Sequence, residues 1–269
     1  VLTRRQKFAA CRAMAHLHLR GQLMYRGDFL LRMLGLLIQV ALLALVWRAI
    51  YPEGEAVSLE TQLAYVTYAA VQNWAFTPPG LAPSAIPQRV REGSVVFDLA
   101  RPLGFPAQML SAQAGVTAAL LPLALLALPF AILVGGAQAP ASAAAVLASV
   151  VSLAPALLNA LLLAVLVSMV CFWTLEMTGI FMIHRVVAQF FAGALVPLWL
   201  MPHWLAGLAH VLPFQTITYT PIALYLGRIE GTGPVLGALA VQLGWTVALW
   251  LLLRWVWARA HRRVVVQGG

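Results

Sequence analysis

The chain has 269 residues, of which 62% are apolar and only 9% charged, with a net charge of +9 and a mean hydropathy of +0.88. Soluble domains average about 45–50% apolar and about 25% charged residues, so these values exclude a water-soluble globule, and they exclude disorder for the same reason. The expected solvent is a lipid bilayer.

The first 28 residues carry scattered Arg without a compact apolar core or cleavage site, so no removable signal peptide is expected. On a helical wheel Arg5, Arg12, His16 and Arg20 fall on one side, and Ala10, Met14, Leu17 and Met24 on the other. This pattern predicts an amphipathic helix on the inner membrane surface. Lys7 breaks the pattern, and a basic tail that only sets topology is the alternative.

Six apolar spans follow: Phe29 to Ile50, Leu59 to Leu81, Ala107 to Val134, Ala143 to Trp173, Ile180 to Leu200 and Val235 to Trp257. Pro122 and Pro129 are expected to bend the third, and Pro155 to break the fourth. With the N-terminus inside, the inner side collects fifteen cations: Arg4, Arg5, Lys7, Arg12, Arg20, Arg26, Arg32, Arg89, Arg91, Arg101, Arg185, Arg254, Arg259, Arg262 and Arg263. The outer side keeps only Arg48 and Arg228. That asymmetry places both termini in the cytoplasm. The segment His203 to Leu226 imitates a seventh span, but Pro213, Gln215 and Pro221 interrupt it and a true crossing would invert the charge bias. Short helices or a re-entrant hairpin capping the outer face are expected instead. The chain then divides into a leader (1–28), a six-span body (29–257) with an outer segment at about 201–233, and a basic tail (258–269).

Several chemistries are missing. The cations sit in short blocks between apolar runs, as topology determinants do, so nucleic acid is not an expected partner. Lys7 is the only lysine and stands in no phosphate loop; zinc-protease and nucleophile-elbow motifs are also missing. No catalytic residue, cofactor or metal is therefore expected in this chain. His203 and His210 lack a third ligand, and Cys11 and Cys171 lie too far apart in character for a disulfide. Ionisable residues cluster at span ends, which disfavours an ion-coupled secondary transporter, whose coupling group belongs at the midplane.

The connection between spans two and three, about 83–106, is long and apolar for a loop, with Arg89, Arg91, Glu92, Asp98 and Arg101 among Val90, Val95, Val96, Phe97 and Leu99. Such a segment calls for a partner. Its Arg91-Glu92-Gly93 followed by Asp98-Leu99-Ala100-Arg101-Pro102-Leu103 resembles the signature of six-span permeases of the ABC type-2 transporter family, nearest to bacterial permeases encoded in pairs beside an ATPase gene. Tyr25-Arg26-Gly27-Asp28, Trp47-Arg48-Ala49-Ile50-Tyr51, Phe172-Trp173, Gly193 to Pro202, Leu212-Pro213-Phe214 and Tyr219-Thr220-Pro221 add to the likeness, which covers nearly the whole chain. The chain departs from the pattern in carrying Ala100 where a Leu is usual.

The resemblance implies an all-α polytopic protein with an interfacial elbow helix, a cytoplasmic coupling helix within about 83–106, and outer gate helices after span five. Arg89, Arg91, Glu92, Gly93, Asp98, Arg101 and Pro102 would then serve ATPase coupling, with Pro102 setting where span three begins. The implied partners are two ABC ATPase subunits, which bind ATP and Mg, and a second permease, identical or related. The implied place is the bacterial inner membrane, and the implied activity is export. A scaffold that recruits a cytoplasmic protein through the same loop is the other rival. For the pathway, Tyr65, Tyr68, Gln72 and Phe76 share one face of span two with Asn73 beside them, and span five offers His184, Gln189 and Phe190. Inter-helix hydrogen bonding is the alternative role for the first group.

Overall fold

The computed structural model describes residues 3–24, 26–51, 57–76, 84–136, 138–174 and 176–263, and among them the secondary structure is helical throughout. In chain order the helices are α1 (Arg4–Met24), α2 (Arg26–Ile50), α3 (Leu59–Phe76), α4 (Ile86–Arg91), α5 (Val95–Leu99), α6 (Phe105–Gly135), α7 (Ala143–Ser168), α8 (Thr178–Phe191), α9 (His203–Val211), α10 (Tyr219–Tyr225) and α11 (Thr232–Ala260). A 3₁₀ turn, Met169–Phe172, prolongs α7, and another, His261–Arg263, prolongs α11. Tyr25, Glu53, Glu55 and the stretch from Thr77 to Pro83 lie outside the described residues.

Four of these helices, at Leu30–Ile50, Phe105–Gly135, Ala143–Phe172 and Thr232–Arg263, are long and apolar enough to cross a bilayer. Two expected spans are shorter. α3 has 18 described residues. α8 has 14, or about 21 Å at about 1.5 Å per residue, against a hydrocarbon core of about 30 Å.

The expectation of one helix from Ile180 to Leu200 is therefore corrected. α8 ends at Phe191 because Gly193 takes a left-handed conformation (φ +75°). Its N–H donates to the Phe190 carbonyl, and the Ala194 N–H to that of Gln189. This paired closure of the last turn stops a helix, and Pro197 follows. Pro155 is the opposite correction: α7 runs through it without a break.

The ends of the bundle are sorted into two levels. At one level Phe105, opening α6, stacks on Trp257 near the end of α11 (centroids 4.6 Å) and meets Phe172 after α7 (6.1 Å). At the other, Arg48 Nη2 donates to the Val134 carbonyl (3.1 Å) and the Ala141 N–H to the Tyr225 carbonyl (3.1 Å). Between them Leu36, Val40, Trp74, Leu123, Ala127, Ala156 and Ala160 form the central core, with alanines that let helix backbones approach closely.

The segment after α8 forms short helices, as expected, but it reaches deeper than a cap. Gln72 Nε2 donates to the Ile217 carbonyl (2.5 Å), and Gln72 sits about 20 Å along α3 from its Leu59 end at about 1.5 Å per residue. Asn159 Nδ2 donates to Thr216 Oγ1 (3.0 Å) and Gln242 Nε2 to the Thr216 carbonyl (2.8 Å). α10 then returns to the Val134 end. Backbone outside a regular α-helix survives at such depth only when protein groups satisfy it, and Gln72 and Gln242 do so at the carbonyls of Ile217 and Thr216.

The leader is a formed helix packed on α6. Of its expected apolar side, Ala10 and Met14 are half-buried, whereas Leu17 and Met24 stay exposed. The contact depends on Gly115, where an added Cβ would lie 2.1 Å from the Ala15 carbonyl oxygen. Gly115→Val is expected to release α1 from α6, read as faster hydrogen exchange along α1. Gly35→Val, at a position with open space around it, should leave α1 protected.

Candidate functional site

The charged connection folds as two short helices at the Phe105 end of the bundle. Pro87 lies in the first turn of α4, where its missing N–H costs no hydrogen bond. Gly93 ends the helix at φ +71°. Ser94 follows, its hydroxyl donating to the Arg89 carbonyl (3.4 Å), and α5 begins. Ile86 is fully buried in a cluster with Phe105, Met109, Leu162, Met169 and Leu253, so the knuckle is seated in the end of the bundle.

Asp98 is its centre. The residue is 2% exposed, yet one carboxylate oxygen pairs with Arg89 Nη1 (2.5 Å) and the other with Arg101 Nη1 (3.0 Å). Gln108, buried in α6, donates to the carbonyls of Asp98 and Leu103 (both 2.7 Å) and accepts from Arg101 (3.3 Å). The carboxylate thus joins α4 and α5 to the link before α6, and the Asp98 backbone carbonyl reaches α6 through Gln108. Around it opens a hollow of about 400 Å³ bordered by Gln88, Arg89, Glu92, Phe97 and Arg101. Phe97 is 72% exposed, Arg91 and Glu92 are exposed, and Glu92 is steadied by Gln88 Nε2 (2.8 Å). The outer surface of the knuckle is therefore a protruding aromatic ring beside exposed charged groups, a surface suited to a protein partner.

Pro102 does not open α6. It lies in a bend, Gly104 caps the helix and Pro106 occupies its first turn. The sequence reading also missed Gln108 and His18. Gln108 was legible only as one of two amides, with Gln113, at the head of an apolar run. His18, half-buried on α1, sits within electrostatic range of Arg89, Asp98 and Arg101, and burial first, then Arg89 and Arg101 against the opposing Asp98, lowers its pKa below 6.5.

The remaining candidates lie elsewhere. Tyr65 is fully buried, its hydroxyl donating to the Gly193 carbonyl (3.0 Å) and its ring meeting Trp199 (4.6 Å). Tyr68 donates to the Gln138 carbonyl (2.7 Å), Phe76 joins the central core, and Asn73 is half-buried. Tyr65, Tyr68 and Gln72 brace the segment after α8, Tyr68 through Tyr225 of α10 (5.1 Å). His184, Gln189 and Phe190 are half-buried on α8; His184 lies edge-on to Phe214 (6.2 Å), and Phe190 meets Phe191 (5.3 Å). The α3 group and His184 are not brought into one site.

A family model described as ABC-2 family transporter protein matches residues 36–268, from within α2 through α11 and including the whole knuckle. No curated protein and no solved structure matches the chain.

Asp98→Asn leaves two guanidiniums without their anion. With Arg101 48% exposed, solvent screening limits the loss to about 1–3 kcal/mol, expected as ten- to hundredfold faster hydrogen exchange across α4 and α5. His18 supplies a pH test. Its neutral form is favoured in the fold, so its contribution is complete above 6.5 and declines as pH falls toward the lowered native value. Protection of α1 should weaken on acidification through that window, and His18→Gln should flatten the response.

Proposed function

The chain belongs to the ABC-2 transporter family, a multi-pass membrane transport component, and on that premise we propose that it is the permease subunit of an ATP-driven exporter. In this reading two ABC ATPase subunits bind ATP and Mg, and a second permease, identical or related, completes the pathway. The observation that carries it is the knuckle: Asp98 ties it to α6 while Phe97, Arg91 and Glu92 face outward. A force applied to that surface moves the head of a 31-residue helix.

The positive-inside bias puts the knuckle in the cytoplasm, at the inner membrane of a bacterium, with both termini on that side. α2, α3, α6, α7, α8 and α11 are then the six spans, α1 is the interfacial elbow, and α9 with α10 forms the outer gate. His184, Gln189 and Phe190 border the pathway. Tyr65, Tyr68 and Gln72 act from behind it, holding the gate segment, with Asn73 and Phe76 beside them on α3. The polar seam joining α7, α11 and that segment uses Ser152, Asn159, Thr216, Gln242 and Thr246. All five are neutral, which favours external drive over ion coupling.

Affinity purification of the full chain in mild detergent with its ATPase tests the reading. Glu92→Arg is expected to cut ATPase retention, or transport per ATP hydrolysed, about tenfold, in the range of a lost interfacial charge contact. Unchanged retention and coupling would overturn the docking assignment. A stable complex holding no ATPase would favour the scaffold.

A further inference from the structure

The end of α11 beside the knuckle holds a second cluster, which coupling does not use. Arg254, Arg259, Arg262 and Arg263 follow one another there, and Thr232–Ala260 contains no acid. The Arg254 guanidinium carbon lies 4.9 Å from the Trp250 ring centroid, and that of Arg259 lies 3.7 Å from Trp255. Among the described residues the ion pairs involve other cations. Trp250 and Trp255 are 42% and 56% exposed, unlike Trp257, which turns inward onto Phe105.

A guanidinium held over an indole face spends none of its N–H donors on that contact. That planar fork fits two phosphate oxygens at once. Indoles favour headgroup depth, and Leu251 and Leu252, exposed at the same end, offer apolar surface to acyl chains. A soluble anion would leave that apolar surface unmatched. A phospholipid with a net negative headgroup satisfies both the cations and the leucines.

We propose that the Trp250–Arg263 end of α11 is a binding site for an anionic phospholipid, gripped at its phosphate by Arg254, Arg259 and Arg262. The inference rests on the membrane placement given above, and on neither the ATPase nor the transported substrate.

Native mass spectrometry of the purified full chain, titrated with phosphatidylglycerol or phosphatidylcholine, tests it. The unmodified chain should prefer phosphatidylglycerol by about tenfold or more, given roughly 1 kcal/mol per cation near an anionic lipid. Arg254→Gln/Arg259→Gln/Arg262→Gln should abolish the preference. The corresponding triple Lys variant, which keeps charge without the stacked fork, should retain only part of it and serves if the Gln variant fails to fold. Arg4→Gln/Arg5→Gln/Arg12→Gln on exposed α1 should leave it intact. Full preference in the α11 variants, or equal loss in the α1 variant, would overturn the site. Displacement of the lipid by millimolar glycerol phosphate would overturn lipid as its occupant. Loss of ATPase retention at Glu92 is read separately and leaves this result untouched.

Discussion

Two guanidiniums share one buried carboxylate at Asp98, and the knuckle has a defined shape because of it. α4 and α5 have six and five residues, far below the length at which a helix is stable by itself. Burial of Ile86 and Val95 in one apolar cluster seats both short helices, and the shared carboxylate fixes how they turn about Gly93. Burying charge is costly, and a fully buried pair often adds little net stability. Here both arginines keep contact with water while the acid does not, so the desolvation cost falls mainly on one group. The backbone carbonyl of Asp98 receives Gln108 as well, and the geometry is thereby locked to α6 from two directions.

Inside the bundle the constraint changes character. Lipid offers no hydrogen bonds, so each polar group there must find its partner within the chain. Gln242 gives its amide hydrogens to the carbonyls of Ser152 and Thr216 and receives the Ser152 hydroxyl. Asn159 donates to Thr216 and to the Gln242 carbonyl and receives Thr246. Both side-chain amides are used at donor and acceptor alike. This permits the segment from Pro213 to Thr218, a 3₁₀ turn and a short link, to sit far from either end of the long helices. Elsewhere contact is made by removing side chain, as at Gly115 against Ala15 and at Gly135, whose carbonyl also accepts from the Thr67 hydroxyl.

These two modes explain what could be read in the amino-acid order. Long apolar runs, with Gly and Pro between α6 and α7 and charge at the other bounds, marked α2, α6, α7 and α11 to within a few residues, since hydrophobic length is a composition property. The knuckle was legible through two acids and three arginines gathered in one short connection. The end of α8 was not, because the residues after Phe191 remain apolar and only the left-handed turn at Gly193 separates them from the helix. Pro155 misled in the other direction: a proline inside a long packed helix need not interrupt it. The α1–α6 contact was illegible for a different reason, as Gly115 and Ala15 carry no polarity and their meeting depends on tertiary approach alone.

α11 ties the two modes together. Its Trp257 stacks on Phe105 at the head of α6, next to the knuckle. Its Gln242, about 22 Å away at about 1.5 Å per residue, donates to Thr216 in the re-entrant segment. A helix between these points is stiff, and both contacts are directional, one a ring stack and one a hydrogen bond. Displacement of the knuckle end of α6 must therefore either slide Phe105 across Trp257 or tilt α11. Tilting shifts Gln242 against Thr216 and Ser152, and those bonds have no solvent to replace them. The continuity is geometric rather than a measured coupling, but it makes the seam around Gln242 the place where rearrangement is costly. Such a seam favours a few discrete positions for the re-entrant segment over a continuum, because intermediate positions would leave amides unpaired in hydrocarbon.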